Sequence, residues 1–84
     1  MKNKIQKIEN LETLVNLEYL SLKANKIMIL ENLDQLKKLT FLDLSQNLIT
    51  KINVSRIPKN VEYLNLTENP LNVRNVIYFT KYLK

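Results

Sequence analysis

Leu39-Thr40-Phe41-Leu42-Asp43-Leu44-Ser45-Gln46-Asn47-Leu48-Ile49 decides the architecture of this chain. Its frame of Leu39, Leu42, Leu44, Asn47 and Ile49 occurs earlier as Leu17, Leu20, Leu22, Asn25 and Ile27. It occurs again as Val61, Leu64, Leu66, Asn69 and Leu71, and Asn3 with Ile5 belongs to a partial copy. The period is 22 residues. Self-similarity at so short a fixed period marks a solenoid, in which each repeat is one coil and buries its apolar side only by stacking on its neighbours.

Within each frame the apolar residues first alternate and then come in steps of three. Alternation sends every second side chain to one face, so it predicts short strands over Tyr19–Leu22, Phe41–Leu44 and Tyr63–Leu66. Stacked in parallel, such strands lie about 4.8 Å apart. Leu20, Leu22, Leu42, Leu44, Leu64 and Leu66 then point inward. The asparagines Asn25, Asn47 and Asn69 end the strands, where a buried amide can pair with backbone groups of the turn. They read as structural residues.

The steps of three, Ile5-Ile8-Leu11-Leu14 and Ile27-Leu30-Leu33-Leu36, predict return legs that are 3-10-like or carry a short helical piece. The phrase Ile8-Glu9-Asn10-Leu11 recurs as Leu30-Glu31-Asn32-Leu33. The third leg holds Pro58, which disfavours helix and predicts an extended, irregular segment. After Pro70, Asn72 can cap a helix whose apolar face is Val73, Val76, Ile77, Thr80 and Leu83. That helix would close the apolar end of the last coil.

These elements make one α/β domain over residues 1–84. It divides into a partial repeat at 1–16, repeats at 17–38, 39–60 and 61–72, and a capping helix at 73–84. No strand precedes Asn3, so the strand ending at Leu22 is an open edge, blunted only by Lys2, Lys4 and Lys7. A partner, a second copy or further chain is expected to cover it. The isolated chain is accordingly expected to fold poorly or to self-associate.

At these residues the chain resembles leucine-rich repeat proteins of the 22-residue class, which include the leucine-rich regulatory subunit of protein phosphatase 1, the leucine-rich axonemal dynein light chain and a spliceosomal component. Asn3–Leu11 carries that class's Asn-x-Ile-x-x-Ile-Glu-Asn-Leu phrase. Asn69-Pro70-Leu71 before a helix is similar to its C-terminal cap, without the usual tyrosine-arginine pair. Ile57–Leu66, with Pro58 ahead of a strand, is similar to small axonemal leucine-rich repeat proteins. The resemblance implies a short solenoid with a parallel sheet on its concave face. It also implies a non-catalytic protein–protein interaction module, expected in a large cytoplasmic assembly such as the ciliary axoneme. The alternatives are a regulatory subunit gripping a phosphatase or motor domain, and a nuclear ribonucleoprotein component.

Composition points the same way. Histidine and cysteine are absent, which removes the commonest general base, the best nucleophile, disulfides and thiolate metal sites. Glycine is absent too, leaving no phosphate-cradling loop and no easy turn with positive φ. Glu9, Glu12, Glu31 and Asp34 fall on return legs, where carboxylates face water. An enzyme, a cofactor and a metal are not expected. No apolar run reaches bilayer length, and no membrane contact is expected. With no leader segment visible, the sequons Asn53-Val54-Ser55 and Asn65-Leu66-Thr67 read as chance matches in a cytoplasmic protein.

The net charge of +5 comes from lysines spread along the legs, among them Lys37, Lys38, Lys51 and Lys59 with Arg56. They form no stripe and no aromatic-interleaved pattern, so nucleic acid is not the expected partner. The expected binding surface is the outward strand row: Tyr19, Ser21 and Lys23; Phe41, Asp43 and Ser45; Tyr63, Asn65 and Thr67. Tyr19, Phe41 and Tyr63 place one ring on each coil, and exposed rings bury large area at low entropic cost. The same rings can also stabilise one another across strands.

Overall fold

A computed structural model describes residues 4–71. Strands β1 (Tyr19–Ser21), β2 (Phe41–Asp43) and β3 (Tyr63–Asn65) form one open parallel sheet in the order β1-β2-β3. The register follows the repeat: Tyr19, Phe41 and Tyr63 pair across the sheet, then Leu20, Leu42 and Leu64, then Ser21, Asp43 and Asn65. Each strand is one residue shorter than the alternation predicts. The bonding between coils nevertheless runs on past it, through Leu22 N–H to the Asp43 carbonyl at 2.8 Å and Leu44 N–H to the Asn65 carbonyl at 2.9 Å.

The coils remain joined through the turn and into the leg. Ala24 N–H reaches the Ser45 carbonyl at 3.0 Å and Gln46 N–H the Thr67 carbonyl at 2.9 Å. Lys26 and Leu48 donate to the carbonyls of Ile5 and Ile27, each at 2.8 Å. The asparagines complete the pattern. Oδ1 of Asn25, Asn47 and Asn69 accepts the N–H of Ile5, Ile27 and Ile49 at 3.2, 3.0 and 2.9 Å. Nδ2 of Asn47 donates to the carbonyls of Leu22, Leu44 and Ser45, spanning two coils. No buried side-chain polar atom among the described residues is left unpaired.

The core is the column of inward aliphatics. Leu33, Leu36, Leu39, Leu42, Leu44, Ile27 and Ile49 are fully buried, and Leu64 and Leu66 nearly so. Leu11, Leu17, Leu20 and Leu22 of the first coil are only partly buried, since among the described residues no coil lies on their outer side.

The return legs take the 3-10-like form of the expectation without its helical piece, the third leg needs correction, and one expectation lies outside the described residues. Among the described residues the return legs hold no α-helix. They are chains of single turns: Leu14 N–H bonds the Leu11 carbonyl and Leu17 N–H that of Leu14, as Leu36 does to Leu33 and Leu39 to Leu36. Only every third amide closes a ring, so each apolar residue turns inward without a continuous helical ladder. The third leg, expected to be extended, contains the 3-10 turn Val54–Arg56. Asn53 nucleates it: its carbonyl accepts Arg56 N–H at 2.9 Å and its Oδ1 accepts Ser55 N–H at 3.0 Å and Ser55 Oγ–H at 2.7 Å. Pro58 follows the turn and does not interrupt it. The expected capping helix at 73–84 lies outside the described residues.

Lack of glycine does not prevent left-handed turns. Ala24, Gln46 and Glu68, one per coil and each just before the ladder asparagine, have φ of 61°, 57° and 59°. Asn10 and Asn32, the repeated leg asparagines, have 63° and 59°. Asparagine tolerates this region, whereas alanine is strained there by roughly 1–2 kcal/mol. At Ala24 and Gln46 the N–H bond to the next coil offsets that strain.

Candidate protein-docking face

The register stacks the outward side chains as strictly as the inward ones. Tyr19 and Phe41 have ring centroids 4.1 Å apart and planes 6° from parallel; Phe41 and Tyr63 lie 4.4 Å apart at 2°. Both separations are shorter than the usual strand spacing of about 4.8 Å, as expected where a sheet curves toward the face bearing the rings. The three rings form a continuous column. Tyr19 is 61% exposed and Tyr63 47%, so the column stands in solvent with Phe41 half-covered between them.

Beside the column lie Ser21, Asp43 and Asn65, then Lys23, Ser45 and Thr67, as the alternation places them. Their side chains are not equally available. Oδ1 of Asp43 accepts Ser45 N–H at 2.9 Å and Ser45 Oγ–H at 2.7 Å. Asn65 does the same for Thr67, at 3.0 and 2.8 Å. These bonds turn the chain out of the strand; in the middle coil Ser45 is only 2% exposed and adds almost nothing to the surface, whereas Thr67 with the same bonds stays exposed. Ser21, Lys23 and Thr67 are exposed, and Asp43 and Asn65 partly so. The repeated unit of Asp or Asn followed two residues on by Ser or Thr is visible in the sequence, and alternation alone does not account for it.

Chemically, the face offers flat apolar rings edged by hydroxyl, amide and a carboxylate. Such a surface can bury a partner side chain and orient it with hydrogen bonds. Among the described residues no three metal-ligating side chains cluster. None of their helices is long and apolar enough to cross a membrane.

Comparison with known proteins agrees with this geometry. Residues 38–59, covering the middle coil, match the family model described as Leucine Rich Repeat. The structure is similar to that of a leucine-rich repeat protein of Leptospira interrogans, at 34% sequence identity and a TM-score of 0.80. The match takes in 96% of this chain and 21% of that one, so the chain spans about a fifth of that protein's length. No curated protein matches the sequence significantly. The chain thus carries a leucine-rich repeat and has the leucine-rich repeat fold, and domains of this kind generally mediate protein–protein interaction. The narrower kinship with the phosphatase subunit or the dynein light chain is not carried by these matches.

Proposed function

We propose that the chain is a non-catalytic module that docks a segment of another protein on its ring-bearing face. The observation that carries this is the exposed column of Tyr19, Phe41 and Tyr63, held in register by the coils beneath it. A purely structural stack has no need to leave the terminal rings 61% and 47% in water. Ring pairing and docking are compatible: pairing fixes the rotamers, so little side-chain entropy remains to be lost on binding. A helix or extended peptide laid across the strands, placing an apolar side chain against the rings and a basic one near Asp43, is the partner this surface suits.

We take the setting to be a large cytoplasmic assembly such as the axoneme. That reading is supported by the sequence resemblance around Ile57–Leu66. A regulatory subunit gripping a phosphatase or motor domain would use the same face. Peptides selected from a random display library against the wild-type chain test the docking face itself. They are expected to lose most of their affinity for the Tyr19→Ala/Tyr63→Ala variant at unchanged circular dichroism. Equal binding to that variant would rule out the ring column as the contact.

A further inference from the structure

A second surface lies away from the rings, where the return legs begin. Met28 and Ile29 are each 60% exposed and Leu48 46%. Met28, Ile29 and Leu48 line one shallow hollow with Lys7 and Lys26. Met28 and Ile29 also line an adjoining hollow with Lys51 and Arg56. The two coils are fixed to each other at this point by Leu48 N–H donating to the Ile27 carbonyl at 2.8 Å. Three large apolar side chains are thus held together in water with cations on both sides.

The repeat does not require them. One period away, Gln6 and Thr50 occupy the position of Met28, Lys7 and Lys51 that of Ile29, and Lys26 and Pro70 that of Leu48. Five polar residues and a proline serve the neighbouring coils there, so the set of large aliphatic side chains is a local feature added to the scaffold. Exposed apolar patches rimmed by polar residues are characteristic of protein contact sites.

We propose that this patch is a second docking site, for an amphipathic segment of a partner protein whose aliphatic side chains are flanked by aspartate or glutamate. Charge chooses the occupant. Four cations, Lys7, Lys26, Lys51 and Arg56, border the patch against one carboxylate, Glu31. A symmetric contact between the patches of two copies would bring like charge onto like charge. The chain's own residues 72–84 carry Arg74, Lys81 and Lys84 and no acidic residue, so they have the wrong sign as well. Nucleic acid would match the sign, but no aromatic side chain lines either hollow to stack on a base.

The test is a nitrogen-15 NMR titration of the whole chain at low salt with three synthetic peptides: alternating leucine and glutamate, leucine and lysine, and serine and glutamate. Only the first is expected to bind, shifting amides at Met28, Ile29, Leu48, Lys26 and Lys51, with affinity falling as salt rises. Ile29→Glu, an exposed substitution, is expected to weaken it more than about tenfold. The proposal is overturned if the basic peptide binds as well, or if the leucine-free acidic peptide does. It is equally overturned if the shifts centre on Tyr19, Phe41 and Tyr63, if Ile29→Glu changes nothing, or if single-stranded RNA displaces the bound peptide.

Discussion

The side-chain oxygen of Asn47 lies 3.0 Å from the amide nitrogen of Ile27, twenty residues earlier. Through this contact one buried amide ties the start of one return leg to the strand end of the next coil. Asn47 is 4% exposed and also donates to three carbonyls. Asn47→Ala strands those backbone groups away from water and is expected to destabilise the domain by about 2–4 kcal/mol. Asn25→Ala is expected to cost about half as much, because among the described residues Nδ2 of Asn25 bonds only carbonyls of its own coil, those of Leu22 and Lys23. Urea unfolding followed by circular dichroism compares the two, and the reverse order would refute the ladder.

Burial sets a gradient along the core. Leu42 and Leu44 are fully buried, whereas Leu20 and Leu22 at the open end are only partly covered. Leu44→Ala is expected to cost about 2–5 kcal/mol, enough to unfold much of so small a domain. Leu22→Ala, at the equivalent position, is expected to cost distinctly less. Equal losses would mean that the first coil is covered in solution.

The left-handed turn residues give a stabilising prediction. Ala24 has φ of 61° and a side chain too short to compensate. Ala24→Gly removes strain of roughly 1–2 kcal/mol and returns part of it through the greater freedom of the unfolded chain. A net gain of about 0.5–1 kcal/mol is expected. Gln46→Gly is expected to gain less, since it also loses the Gln46 Nε2 bond to Glu68 Oε2 at 3.0 Å. A rise in melting temperature for Ala24→Gly checks the turn geometry, and a fall would contradict it.

The ring column contributes to stability as well as to the surface. A double-mutant cycle on Tyr19→Ala and Phe41→Ala is expected to show a coupling of about 0.5–1.5 kcal/mol. Tyr19 with Tyr63, which do not touch except through Phe41, is expected to show much less.

The coil, its period and its inward column were legible because a frame of Leu, Leu, Leu, Asn and Ile fixes side-chain direction at every position. The asparagines were legible as structural for the same reason. The legs were harder, since steps of three fit both a helix and a series of separate turns, and only the amide pairing at Leu14, Leu17, Leu36 and Leu39 separates them. The left-handed turns at Ala24, Gln46 and Glu68 carry no residue that signals positive φ. Ser45 was placed outward by alternation, but alternation ends with β2, and in the middle coil Ser45 lies buried while the equivalent Thr67 is exposed. Met28, Ile29 and Leu48 are not legible as a surface because they sit at positions the repeat leaves free.

Docking on the ring face is tested most directly by the hydrogen-exchange and NMR footprint of a library-selected peptide bound to the wild-type chain. Bound peptide is predicted to slow exchange across β1, β2 and β3 and to shift the ring protons of Tyr19, Phe41 and Tyr63. A footprint confined to the return legs, with those ring signals unmoved, would contradict it.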